Sequence, residues 1–402
     1  MRRLRTWVVN LGLALLSLAV FCAALEFSAR RLVSHWRKTR VFTPHGSVSR
    51  YHPILGWDKP PGLRVRLRRP EYEVDLEINS RGLRGPEREH AKPAGTRRVL
   101  MLGDSFVEGY CVPEHRSARA VLETLLNVGA CGRVEVLNGG TAAWSTDQEL
   151  LFFDLEGRKY APDVVTLFFF YNDLAANTSD FANGRPKPYF ELESGELVLR
   201  GTPLPAPPEA ERISRHEPMP FRLKPWRESY ALRLLSDRTV EGAPELHRLL
   251  ARWKIVEPRP VTPPPVDMLA FAPGRDPSVE AAWERTAALL RALQGAVGKQ
   301  GARLLLVYVP ARFEVDERAW TLTRQQFRLG RRWDHGRVFD RLARVAADLR
   351  VELLDPRPPL REAQARGPAY FPRDGHWTAV GQEAAARAIV EATRRALGCD
   401  SP

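Results

Sequence analysis

The alternation of hydrophobic and polar positions changes character along the chain. From Trp7 to Leu25, "WVVNLGLALLSLAVFCAAL", Asn10 and Ser17 are the only polar residues. At about 1.5 Å per residue such a helix matches a hydrocarbon core of roughly 30 Å. Residues 1–40 are therefore expected to form a transmembrane helix and its flank. The next segment, 41–96, is rich in Pro and Gly and carries the alternating run "RVRLRRPEYEVDLEINSRGLRG". A period of two predicts a β-hairpin there, in a small β-rich lead-in.

From Arg97 apolar runs and amphipathic stretches take turns. The runs "RVLMLG", "VEVLN", "DVVTLFFFYND", "RLLLVYVP" and "VELLDP" predict strands. The third scarcely alternates, as expected of a parallel strand buried on both faces. Between them, "RSARAVLETLLNVG" places Ala118, Val121, Leu122 and Leu125 on one helical face and stops at Gly129. Thr146 with Glu149 predicts a capping box opening a second helix. Asp276-Pro277 predicts an N-cap followed by Pro at N1, ahead of a face formed by Val279, Trp283, Ala287, Leu290, Leu293 and Val297. A helical region to Leu349 and a last helix after His376 complete the pattern. Five strands alternating with helices predict an α/β fold with a doubly wound parallel five-stranded sheet over 97–398. Residues 178–275 interrupt it as an insertion, where Pro-rich clusters such as "GTPLPAPPEAE" flank the short amphipathic stretches "RESYALRLLSDR" and "PELHRLLARW".

Composition alters this picture little. A chain of 402 residues with 44% hydrophobic content can bury a sizeable core. The excess of 61 basic over 48 acidic side chains gives +13, yet the charges are interspersed and no basic run alternates with stacking aromatics. That favours a solvated basic surface over a nucleic-acid partner. Arg2, Arg3 and Arg5 precede the span while Arg30, Arg31, Arg37, Lys38 and Arg40 follow it, so charge leaves the orientation open. Cys22, Ala23 and Ala24 offer a weak cleavage site, but the apolar run is long for a signal peptide and favours an uncleaved anchor. Of the four cysteines none forms a CxxC pair, which argues against structural zinc, and no metal or organic cofactor is expected. Cys111 and Cys131 flank one predicted helix; they pair in an oxidising compartment or remain buried thiols.

Candidate chemistry lies where the predicted strands end. Ser105 follows the first strand in "GDSF". A serine there is ordinarily a helix N-cap, and acts as a nucleophile only beside a positioned base. Of nine histidines, His376 alone follows a strand-and-loop pattern and opens a helix, and Asp374 precedes it in "DGH". That carboxylate can orient the imidazole; the plain alternative is a surface turn. The loop "NGGTAAWSTDQE" supplies backbone N–H groups and "FYNDLAAN" the Asn172 amide, the donors a developing oxyanion requires. Each has a modest alternative as a cap or a turn.

Together these four blocks resemble the SGNH hydrolases, also called the GDSL esterase/lipase family. "GDSF" is similar to the first block, Gly140–Ala143 to the second, "YND" to the third and "DGH" to the last. The resemblance implies Ser105 as nucleophile, His376 as base and Asp374 as its acid, with Ala143 and Asn172 completing the oxyanion hole. The chain departs from the family pattern in three ways. Ala143 replaces a glycine, with Gly140 as substitute donor. Phe170 stands where another glycine is usual. A single residue separates acid and base, leaving Asp355 in reserve as the acid. "LGWDKPPG" and "INSRGLRGPE" are similar to segments of membrane-anchored bacterial members, which implies a single-pass inner-membrane protein with a periplasmic domain. The activity implied is hydrolysis of acyl, above all acetyl, esters on an envelope glycan or lipid through an acyl-enzyme. The alternative is O-acetyl transfer to an envelope polysaccharide, with a multi-span acyl donor protein as partner. A non-catalytic envelope scaffold is the third reading.

Overall fold

A computed structural model describes residues 2–39, 48–128, 131–206, 243–253 and 263–399, with single positions between 229 and 255. The chain divides into two compact units, 1–42 with 215–262 and 43–214 with 263–402. In the first, the helix Arg2–Thr39 runs well past Leu25, and Asn10–Arg31 within it is long and apolar enough to cross a bilayer. "PELHRLLARW" forms the helix Pro244–Arg252. Most of "RESYALRLLSDR" lies outside the described residues.

The second unit opens with two antiparallel hairpins, β1 (Arg50–His52) with β2 (Gly56–Asp58) and β3 (Arg64–Arg68) with β4 (Glu73–Glu77). The strands β5 (Thr96–Leu102), β6 (Arg133–Asn138) and β7 (Val164–Phe170) follow. Four short strands, β8 (Phe181–Ala182), β9 (Arg185–Pro186), β10 (Tyr189–Glu193) and β11 (Glu196–Arg200), pair as two hairpins inside what the sequence presents as an irregular insertion. β12 (Arg303–Val309) and β13 (Glu352–Leu354) complete a five-stranded parallel sheet in the order β13-β12-β7-β5-β6.

Helices cover both faces, so β5 is apolar throughout its last residues. Val99 and Met101 pack into one layer, with Leu122 and Ile389 from the helices Ala118–Leu126 and Ala379–Ala396. Leu100 and Leu102 enter the other, with Phe153 and Trp283 from Thr146–Leu155 and Pro277–Lys299. Alternate side chains of one strand thus serve two cores, which a run of apolar residues conceals. The same second layer takes in Leu55 and Trp57 from the lead-in and Phe190 and Phe271 from the borders of the insertion.

Several local expectations change. Asp276 caps its helix as anticipated, accepting from Ser278 N–H. Ser145, not Thr146, is the N-cap of the second helix, and no side chain caps it. Thr146 and Glu149 are fully buried instead, because the turn after β7 lies against this helix end, where Thr146 Oγ1 donates to Asp173 and the Asp147 N–H to Asn177. A helix at Arg357–Arg366 escapes the pattern, since Pro358-Pro359 reads as a break although Pro is compatible with a first helical turn. The disulfide is not Cys111–Cys131: Cys131 joins Cys399, with Cα atoms 4.9 Å apart, and Cys111 is a free buried thiol. The expected partner was too local; Cys131, beside the start of β6, meets the end of the last helix.

Candidate active site

The order β7-β5-β6 brings the loops after three neighbouring strands to one sheet edge, the place where open α/β sheets bind ligands. β5 ends at Leu102, and Gly103 turns the chain at φ +156° with Val107 so close that a Cβ would collide with it at 2.5 Å. Asp104 then caps the single helical turn Ser105–Glu108 by accepting from Phe106 N–H at 2.9 Å. The cap is therefore Asp104, which leaves the Ser105 hydroxyl free of that duty. Burial raises the Asp104 carboxyl to about 6, against the opposing pull of the Phe106 N–H and of His376.

Ser105 Oγ lies 2.7 Å from His376 Nε2, and His376 Nδ1 lies 2.5 Å from Asp374 Oδ1. Gly375, at φ +84°, makes the tight loop in which Asp374 and His376 meet across one residue. The loop is closed by Gly375 N–H to Phe371 O and Phe371 N–H to His376 O, each at 2.9 Å. The close spacing in "DGH" is thus geometrically sufficient. Asp355, the reserve acid, is engaged in a two-pronged pair with Arg357. The imidazole packs against the rings of Phe106 and Tyr110, at 4.9 and 5.2 Å between centroids.

The lead-in reaches this pair, which the sequence reading did not foresee. Tyr72 O–H donates to Asp374 Oδ2 at 3.2 Å, and Cys111 Sγ lies 3.6 Å from Oδ1. Glu71 accepts from the backbone N–H groups of Arg373 and Asp374. Burial pushes the Asp374 carboxyl up, but the hydrogen bond from His376, its charge and the Tyr72 hydroxyl together hold it below the usual carboxylate range. Burial and the neighbouring carboxylate push the Cys111 thiol up, so it stays a neutral donor.

The expected oxyanion donors occupy the flanking loops after β6 and β7. Ala143 has φ +63°, a left-handed conformation that costs a non-glycine residue about 1–3 kcal/mol. Before it, Gly140 N–H donates to Asn138 Oδ1, Thr141 N–H to Gly103 O and Ala142 N–H to Glu108 Oε2. Gly140 is therefore committed and is no substitute donor, whereas the Ala143 N–H bonds to nothing among the described residues. Asn172 opens the helical turn Asp173–Ala176 without a side-chain cap; its Oδ1 is buried and unpartnered, and its Nδ2 makes no bond among the described residues. Phe170 packs on Phe106 at 4.9 Å and so walls the site beside the histidine. Among the described residues, Cys111, Asp374 and His376 are the one group whose donor atoms lie close enough to share a metal ion. Two of the three already belong to the Ser–His–Asp arrangement, which accounts for them without an ion.

Residues 273–401 match the family described as "SGNH hydrolase-like domain, acetyltransferase AlgX". Over this stretch, which holds Asp374 and His376 but neither Ser105 nor Asn172, the chain is similar to an SGNH hydrolase-like domain. It is 29% identical over 122 residues to the probable alginate O-acetylase AlgJ of Pseudomonas putida; the match spans 29% of this chain and 29% of that relative's length. Solved structures similar to it include the acetylxylan esterase Axe2 of Geobacillus stearothermophilus (13% identity, TM-score 0.37, covering 76% of this chain and 95% of that one). Another is a lipase/acylhydrolase of Enterococcus faecalis (13% identity, TM-score 0.38, covering 76% and 100%).

Proposed function

We propose that this protein is a membrane-anchored serine O-acyltransferase that moves an acetyl group onto a hydroxyl of an envelope polysaccharide. One observation carries the reading: the unbroken line from Ser105 Oγ through both ring nitrogens of His376 to Asp374. With Nδ1–H donating to Asp374, Nε2 is the acceptor and takes the Ser105 proton as Oγ attacks the acyl carbonyl. The Ala143 N–H and the Asn172 amide bear the oxyanion. On collapse the donor's leaving oxygen takes the proton from Nε2 and Ser105 retains the acyl group as an ester. An acceptor hydroxyl then gives its proton to Nε2 and attacks that ester, and as the Oγ–acyl bond breaks Nε2 passes this proton to Ser105 Oγ. Water as acceptor makes the same sequence a hydrolysis. Transfer is preferred because the matching family is described as an acetyltransferase and the curated relative as a probable O-acetylase.

An extracytoplasmic site agrees with the apolar span Asn10–Arg31 and with the Cys131–Cys399 disulfide, since such bonds persist in oxidising compartments. The full-length protein, given an aryl acetate as donor, is expected to release the aryl alcohol and to leave labelled acetyl on an added polysaccharide. Alginate, named for the relative, is the first acceptor to try. Release without polysaccharide labelling would make the protein an esterase; release undiminished in Ser105→Ala would remove the serine from the chemistry.

A further inference from the structure

The hairpin β1–β2 holds the loop that follows β6. Trp57, in β2, and Lys59, just beyond it, are 2% and 3% exposed. Trp57 Nε1–H donates to the Ala142 carbonyl at 3.0 Å, and Trp144 Nε1–H returns to the Trp57 carbonyl at 2.9 Å. Lys59 Nζ donates to the Gly140 carbonyl and, at 2.8 Å, to Thr141 Oγ1. From the other side Glu108, one turn after Ser105, takes the Ala142 N–H at 2.6 Å. Each residue from Gly140 to Ala142 is thereby tied to a side chain outside the loop, and Ala143 is the next residue. A left-handed non-glycine residue persists where its surroundings over-determine it.

We propose that Trp57 and Lys59 are positioning residues for acyl transfer: they clamp Gly140–Ala142 so that Ala143 keeps its left-handed backbone and its N–H stays aimed at the oxyanion. The inference rests on the reading of Ala143 as an oxyanion donor. Neither side chain touches substrate in this role; both act through the backbone of the loop. A purely structural brace would change stability alone. A positioning clamp must also change the rate of the step in which negative charge develops, and its loss should be relieved where the backbone at 143 no longer resists φ > 0.

The test uses the full-length protein and an aryl acetate, with Ser105→Ala as the control for the serine reading. Lys59→Met and Trp57→Phe are each expected to lower kcat by about tenfold or more, with the roughly 10²–10³-fold cost of losing one oxyanion donor outright as the upper bound, and with KM nearly unchanged. Ala143→Gly is expected to raise kcat in the Lys59→Met background by a larger factor than it does in wild type, because glycine adopts positive φ unaided. Trp57→Phe provides the same comparison if Lys59→Met does not fold. Clamp variants that keep the wild-type kcat, or factors at 59 and 143 that simply multiply, would overturn the inference while an inactive Ser105→Ala upholds the serine reading. An active Ser105→Ala would overturn both.

Discussion

Tyr72 and Asp374, 302 residues apart in the chain, meet at 3.2 Å, the phenol donating to the carboxylate oxygen that His376 does not use. The two carboxylate oxygens are thus assigned separate donors, which fixes the plane of the acid and, through it, the imidazole. Tyr72→Phe removes the donor and leaves the ring that packs on Phe371 at 5.1 Å. Since a hydrogen bond to a charged group is worth about 1.5–3 kcal/mol, kcat is expected to fall by about tenfold with KM unchanged. An unchanged kcat would show that Asp374 is held well enough by Glu71 and Cys111.

The acid itself is tested by comparing two aspartates. Asp374→Asn is expected to lower kcat by about 10⁴-fold, because the amide favours the wrong imidazole tautomer. Asp355→Asn loosens the pair with Arg357 and is expected to leave kcat within about threefold of wild type. The Asp374 carboxyl is held below its ordinary value of 3.8. Its stabilising contribution is accordingly present above that value and is lost as pH falls through the lower folded value. Asp374→Asn should therefore weaken the acid limb of a stability profile; an identical limb in both proteins counts against the pairing.

The fold was legible where one physical signal dominated. Val99–Leu102 and Val164–Phe169 are buried strands, Ser105 and Asn172 follow strand ends, and Asp374 and His376 precede the last helix, although the helix Arg357–Arg366 separates them from β13. What escaped depends on contacts distant in sequence. Nothing local in "LGWDKPPG" tells that Lys59 ends on the Gly140 carbonyl, nor in "RPEYE" that Tyr72 reaches Asp374. The Thr146–Glu149 capping box failed for a related reason: its residues are those of a solvent-facing helix start, and tertiary burial turned them inward. β8 and β9, two residues each, are too short to show a pattern, whereas β10 and β11, five residues each around Ser194-Gly195, escape only because the Pro-rich stretch that follows dominates the pattern of this segment.

The disulfide separates two maps of the same four cysteines. Under non-reducing conditions, digestion is expected to yield one linked pair of peptides containing Cys131 and Cys399, with Cys111 alkylated only after unfolding because its side chain is buried. The bond ties the start of β6 to the chain end beyond the last helix, so its reduction should destabilise the protein by about 2–5 kcal/mol. A peptide linking Cys111 to Cys131 would contradict this arrangement.

Four carboxyl groups, Asp104, Asp147, Glu149 and Asp173, are buried near one another. Glu149 is fully buried, neither of its carboxylate oxygens has a partner among the described residues, and Asp104, Asp147 and Asp173 all act on it. Burial first, and then these like charges, raise its carboxyl well above the ordinary 4.5, although Lys187, paired with Asp147, pulls the other way. A carboxyl raised on folding stabilises the folded state fully below its unfolded value, and that contribution is lost as pH rises, because the native state must then either keep a proton or bury a charge. Glu149→Gln keeps the shape and removes the titration. The variant is expected to lose the pH dependence that this group imposes, and so to gain stability relative to wild type as pH rises above 4.5, read from urea midpoints across a pH series. Parallel profiles would mean that Glu149 finds a partner in solution and carries no excess proton. A variant less stable at every pH would mean that the carboxylate, not the acid, is the form the fold requires.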